Sequence, residues 1–477
     1  MEQGHTEQTP LLRTTPQQDT PAAKRRTCLV RWSLFTVSIL IFVAIILFAL
    51  LAPFNHKGDG VHVVPSKLVV QDTKVRIQLG TLRREGEKEK KAGGLVSDVL
   101  IESANVHALT IHVLEAKVSP VRASEGGEKG GVTRNDNTIA AKDDDDLIGR
   151  REEEEPALMV DRVQSDTGTF LNFFISSLSS QLPDNDIKNR KHGHTRREKR
   201  IFVGRLRLRI EVPLGFAGEL TIDGSDLDIE GASSLAKARF TLLHLTTDEG
   251  NIILGTNDDD DDSDSTDIRS PILQVAHLYA RIHQKGSVHI GYMGSAEKGK
   301  PVRVNIETQE GDISIEALQM MLSFDVDKRH PVDDEVVHFF SLVTHQGDVR
   351  MHLREGERLL GPWYVRGFVM VMARAHGGVI QGRVEIPDLQ LLILDAVSDR
   401  DTDLKVSEKF IGELTVSSSP RHDAMVVPFP GSTHLLSFTR WSKTLKKGKK
   451  VRAEDDYMPL GSINLKAVDG PASVTFV

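Results

Sequence analysis

Cysteine is almost missing from this chain of 477 residues, and the single one, Cys28, has no partner with which to form a disulfide inside the chain. Any exported part must therefore hold together through a sizeable core or repetitive stacking. Asn-x-Ser/Thr acceptors are also absent, which excludes N-glycans. Aromatic residues make up only 5% against 38 glycines, a balance that favours many short strands and tight turns. Positive charge is in deficit: the formal net charge of −8 argues against a general nucleic-acid binder. No His-Glu-x-x-His, Gly-x-Ser-x-Gly, phosphate loop or Gly-x-Gly-x-x-Gly phrase occurs. Nothing in the chain calls for a cofactor or a resident metal, and the reading is non-enzymatic.

What is present begins with an uncharged apolar run, residues 32–54. As a helix it would be about 34 Å long, enough for a hydrocarbon layer of about 30 Å. Arg13, Lys24, Arg25, Arg26 and Arg31 precede it, whereas Lys57 and Lys67 follow. The positive-inside rule then predicts a type II span, with residues 1–31 cytosolic and about 420 residues lumenal or extracellular. A cleaved signal peptide would have a shorter apolar core and a small-residue cleavage site. The lipid bilayer is thus the first expected partner.

The tail, rich in Thr, Gln and Pro, has no apolar periodicity and reads as disordered. Within it Glu7, Leu11 and Leu12 match the acidic dileucine spacing that clathrin adaptors read, with the carboxylate for a basic patch and the leucines for an apolar slot. That implies an endosomal or vacuolar membrane; without it the cell surface is expected. Cys28 lies where a palmitoyl group can be attached, or stands as an unmodified thiol.

Beyond the span, strand-like stretches alternate with charged inserts. Val75, Ile77 and Leu79 alternate with polar residues, as do Leu109, Ile111 and Val113. Leu206, Leu208, Ile210 and Val212 form an aliphatic face whose other side is charged, ending at Pro213. Residues 83–94, 119–156, 183–200, 257–267 and 443–456 read as long disordered inserts. Helical signal is confined to 167–182 and 316–322. The expected organisation is a set of membrane-proximal β segments over 55–204 followed by a repetitive β domain over 205–477.

A phrase recurs in that second part: Glu249-Gly250-Asn251-Ile252, Lys285-Gly286-Ser287-Val288, Glu310-Gly311-Asp312-Ile313 and Gln346-Gly347-Asp348-Val349. Glycine supplies a backbone that a tight turn needs, and the small polar residue can bond the turn. The glycines are separated by 36, 25 and 36 residues, so each unit holds more than one strand. Units that cannot bury a face alone must stack, predicting an all-β, solenoid-like or sandwich-like body.

The phrases around Gly250, Gly311 and Gly347, together with Leu227-Asp228-Ile229-Glu230-Gly231, Phe410-Ile411-Gly412-Glu413-Leu414 and the closing Gly461-Ser462-Ile463-Asn464-Leu465 with Val474-Thr475-Phe476, resemble the putative-adhesin domain family. That is a repetitive all-β family of unknown function found in bacterial surface and fungal membrane proteins. The resemblance covers roughly 205–477, and implies a non-catalytic domain for contact with a surface, wall or lumenal partner. It transfers no catalytic residue.

Two rival readings remain. Stacked β coils also serve polysaccharide-acting enzymes, for which Asp248, Asp312 and Asp348 would be the carboxylate row; alternatively each caps its turn. An endolysosomal or vacuolar scaffold acting through its tail is the other. The runs 258–262, extended by Asp264 and Asp267, and 143–146 could attract calcium but lack the spacing of a calcium loop, and His192 and His194 flank a glycine in a basic linker. Finally, Arg197, Lys199 and Arg200 fit the basic consensus of furin- and kexin-type proteases, or form a solubilising loop.

Overall fold

A computed structural model describes residues 59–80, 95–121, 157–176, 201–255, 273–291, 293–296, 302–320, 336–355, 367–386, 391–451 and 461–477. The chain divides into Met1–Lys57, none of which is described, and Gly58–Val477. Within the second unit the strands in chain order begin with β1 (Asp59–Val63), β2 (Lys67–Val70), β3 (Lys74–Leu79), β4 (Leu95–Ala104), β5 (Leu109–Val121), β6 (Ala157–Ser165), β7 (Gly168–Ser176), β8 (Ile201–Pro213) and β9 (Ala217–Gly231). Paired strands then repeat: β10 (Arg239–Glu249) with β11 (Ile252–Leu254), β12 (Leu273–Lys285) with β13 (Val288–Ile290) and β14 (Met293–Ser295), and β15 (Arg303–Glu310) with β16 (Ile313–Met320). Next come β17 (Val336–Thr344) and β18 (Val349–Glu355), β19 (Gly367–Ala375) and β20 (Ile380–Val384), then β21 (Leu391–Ser398) and β22 (Thr402–Val406). The chain closes with β23 (Gly412–Ser417), β24 (Ala424–Val427), β25 (Leu436–Trp441), β26 (Leu445–Lys450), β27 (Gly461–Ala467) and β28 (Ala472–Phe476).

Each coil lays one strand on each of two parallel ladders, and in the coils that carry Gly250, Gly286, Gly311, Gly347 and Gly378 a Gly turn carries the chain between them. The first ladder runs β9, β10, β12, β15, β17, β19, β21, β27, β23. The second runs β9, β11, β13, β16, β18, β20, β22, β28, β24. A single residue type cannot bury both faces of a ladder, so alternation decides orientation: β21 reads half-buried, buried, throughout, and β22 buried, exposed. The inward sets of the two ladders join in one aliphatic core that includes Val75, Ile77, Leu206, Leu208, Ile210, Leu245, Ile306 and Leu342. The solenoid-like alternative is therefore the one the described residues adopt.

The chain order is not the stacking order at either end. β3 lies between β7 and β9 in the first ladder, and β4 between β8 and β9 in the second. Likewise β27 and β28 lie between β21–β22 and β23–β24. Beyond these, antiparallel strands cover the edges: β6 on β7, β1 on β6, β5 on β8, β2 on β5, and β26 on β23 with β25 outside it. Such caps blunt the open edges that a parallel stack would otherwise present.

Three expectations are corrected. The insert predicted to be disordered over 443–456 holds β26, because β23 and β25 pair with it on both sides. The helix predicted over 167–182 is, as far as it is described, β7, and that over 316–322 is the second half of β16. The physical reason is lateral: Phe170, Leu171 and Phe173 sit in register with β3, and Leu318 with β18, so neighbouring strands supply the hydrogen bonds a helix would have supplied internally. The boundary drawn between 204 and 205 falls inside β8, whose partners β4 and β5 lie on the N-terminal side. The span predicted over 32–54 lies outside the described residues, and among those described no helix is long and apolar enough to cross a membrane.

Candidate functional site

The turn phrases come together as one column. The Gly250 amide donates to the Lys285 carbonyl at 3.0 Å, the Gly286 amide to Glu310 at 2.8 Å, and the Gly311 amide to Gln346 at 2.8 Å. Gly286 and Gly311 have φ of +150° and +147°, and a Cβ at Gly311 would lie 1.9 Å from the Gly286 carbonyl oxygen. The same approach repeats from Gly347 to Gly311 at 2.2 Å and from Gly378 to Gly347 at 1.8 Å. Backbones can stack this closely only where side chains are missing.

One residue further on, the small polar side chains form a second column. The Asp228 carboxylate accepts the Asn251 amide at 2.7 Å, the Asn251 side-chain oxygen the Ser287 amide at 3.0 Å, and the Ser287 hydroxyl the Asp312 amide at 3.2 Å. Asp312 Oδ1 then accepts the Asp348 amide at 2.9 Å, and Asp348 Oδ1 the Val379 amide at 3.0 Å. A third column lies just before the turn, where Thr247, Thr308, Thr344 and Ser398 are buried. Their hydroxyls donate to carbonyls of the turn: Thr247 to Glu249, Thr308 and Thr344 to Gly311, and Ser398 to Arg400.

Asp312 and Asp348 thus each spend an oxygen on the backbone of the next coil. Asp248 precedes its glycine and is outside this column, so the three aspartates do not make one row. Near the first coils Asp226 is held above the usual carboxylate range by burial, then by the charges of Glu249, Asp228 and Asp98. No group of three or more metal-ligating side chains is assembled among the described residues. A groove of about 320 Å³ opens on the outer face of the first ladder, lined by Tyr279, Arg303, Val304, Asn305 and Phe339. None of its lining residues among those described is a carboxylate.

Sequence reasoning missed a buried imidazole. His338 is fully enclosed; its Nδ1 accepts the Val302 amide at 3.2 Å, while Nε2 has no hydrogen-bond partner among the described residues. Burial lowers its pKa to about 4. Its place in a strand that otherwise reads as apolar was the one available signal. The remaining predicted sites, Glu7, Leu11, Leu12, Cys28, Arg197, Lys199, Arg200, His192, His194 and the two Asp runs, lie outside the described residues.

No family model matches the chain, and no curated protein matches it. Among solved structures, it is similar to a putative cell adhesion protein from Clostridium sporogenes at 7% identity, covering 88% of this chain and 98% of that one with a TM-score of 0.14.

Proposed function

We propose that this chain is a single-pass type II membrane protein whose β-solenoid makes non-catalytic contacts with lumenal, wall or cell-surface partners. The observation that carries the non-catalytic part is the bonding of Asp312 and Asp348: each carboxylate caps the next coil's backbone, the role a turn asks of it. The apolar run 32–54 with its basic flank supports the anchor, and the recurring Gly-polar phrases support the adhesin-like reading. In this reading Glu7, Leu11 and Leu12 recruit clathrin adaptors and direct the protein to endosomal or vacuolar membranes.

Topology is tested by protease treatment of sealed microsomes carrying a C-terminally tagged chain. Protection of the tag until detergent is added is the expected result, and digestion without detergent overturns the anchor orientation. The rival polysaccharide-acting enzyme is tested with Asp312→Asn and Asp348→Asn together, assayed on a panel of polysaccharides. Loss of a degradation activity present in the parent chain, with thermal melting unchanged, would replace the non-catalytic reading.

A further inference from the structure

Two imidazoles far apart in the chain meet at the outer edge of the first ladder. Thr344 and Ala375 end β17 and β19, lie in register and are fully buried, so the next residue of each coil faces outward. Those residues are His345 and His376. Backbone bonds carry the register past the strands: the His345 amide donates to the Thr308 carbonyl, the His376 amide to Thr344 and the Asp399 amide to Ala375, each at 3.0 Å. Gln309, His345, His376 and Asp399 therefore stand in one row across successive coils. The two rings are 5.7 Å apart between centroids, with 18° between their planes. His376 is exposed and His345 half-exposed, and neither ring makes a hydrogen bond among the described residues. The carboxylates beside them have other tasks. Glu307 Oε1 lies 4.0 Å from His345 Nε2, while its Oε2 accepts Arg281 at 2.6 Å; Asp399 Oδ2 accepts the Gly377 amide at 2.8 Å.

We propose that His345 and His376 together bind a divalent transition-metal ion, Cu²⁺, Ni²⁺ or Zn²⁺, between neighbouring coils. Nitrogen ligands hold Zn²⁺ at about 2.0–2.1 Å, which sets the ring centroids of a tetrahedral pair about 5 Å apart. The two rings already stand close to that separation. A turn about χ2, a torsion with broad wells, brings both Nε2 atoms onto one ion. No third ligating side chain joins them among the described residues, so water fills the remaining positions and the ion exchanges readily. Imidazole donors order the ions with Cu²⁺ ahead of Ni²⁺ and Zn²⁺, and they do not serve Ca²⁺ or Mg²⁺, which take oxygen ligands. The pair exists only while β17 and β19 are stacked, so the bound ion ties these two coils and stabilises the fold by mass action. The site stands apart from the membrane topology and from the adhesin-like reading, and holds if either fails.

Calorimetric titration of the purified full-length chain with Zn²⁺, in excess Ca²⁺ to occupy carboxylate sites, tests it. One ion per chain is expected, with a rise in melting temperature. His345→Gln or His376→Gln alone should weaken binding by about tenfold or more, since each removes a ligand outright. The double variant should lose both the binding and the melting rise, while melting in EDTA stays at the parent value because both rings are outward. Should the double variant fold poorly, the two single variants read the same site. Electron paramagnetic resonance of the Cu²⁺-loaded chain should show two imidazole nitrogens in the parent and one in either single variant. A chain carrying His192→Gln and His194→Gln should keep the ion, which separates this site from the histidines of the basic linker. A parent chain that takes up no Zn²⁺ in excess Ca²⁺ overturns the proposal. So does binding that survives in the double variant, or binding lost with His192 and His194 instead.

Discussion

At the turns that carry Gly286, Gly311 and Gly347 a single carbonyl oxygen decides which residue is tolerated. A Cβ at Gly311 would meet the Gly286 oxygen at 1.9 Å while forcing a side chain into φ of +147°, so strain and clash act together. Gly311→Ala should destabilise by at least about 1–2 kcal/mol from the backbone conformation alone, with the clash adding to it. Asp312→Asn keeps an oxygen for the Asp348 amide and should change stability by less than about 1 kcal/mol. Urea melts of the two variants check the contrast, and equal effects would contradict it. His338 makes a pH prediction of definite sign. Unfolded, it takes up a proton near the ordinary value of about 6.5; folded, it does so only near about 4. The neutral ring therefore leaves stability whole above pH 6.5, and stability falls as pH drops toward 4, by about 3 kcal/mol at most. His338→Gln retains an acceptor for the Val302 amide without titrating. Its urea midpoint should lose less between pH 7.5 and 5 than that of the parent, and an identical loss would show that His338 is not responsible.

Elements in this protein are defined by their neighbours. β16 carries Glu316, Ala317 and Leu318, residues at ease in a helix, yet register with β14 and β18 makes it a strand. Lateral pairing also makes β27 and β28 central even though they are the last strands in the chain. β27 bonds β21 on one side and β23 on the other, and β28 bonds β22 and β24. A chain ending before Gly461 would expose both new edges and leave β23 to β26 without their ladder. Limited proteolysis should then cut within 412–451, a region expected to resist in the full chain, while the coils from β9 to β21 stay protected. Unchanged protection of 412–451 would refute the intercalated arrangement.

Across the whole unit the same interleaving ties the first strands to the last. β3 and β4 precede the basic phrase at 197–200, but they are held between β7–β8 and β9, with β8 and β9 on its far side. β5 adds a long antiparallel pairing to β8. A single cut after Arg200 by a kexin-type protease should accordingly leave both pieces in one particle. Gel filtration without denaturant would show co-elution, and separation into two peaks would overturn the expectation. The cut would convert the chain into a non-covalent pair and release nothing.

The strand class, the inward faces and the turn columns were readable from residue order, because alternation and the Gly-polar phrase are local chemistry. Val75, Ile77 and Leu79 are buried where period two places them, and Asn251, Ser287, Asp312 and Asp348 share one column because each follows a turn glycine. The choice of partner strands was not readable. Parallel coils separated by 25 or 36 residues share no local signal, and β27 can insert before β23 only because its neighbours on both sides offer matching edges. The enclosed His338 belongs to the same category: whether an imidazole in a strand meets water or a core depends on the coils stacked around it, so its lowered pKa follows from tertiary packing.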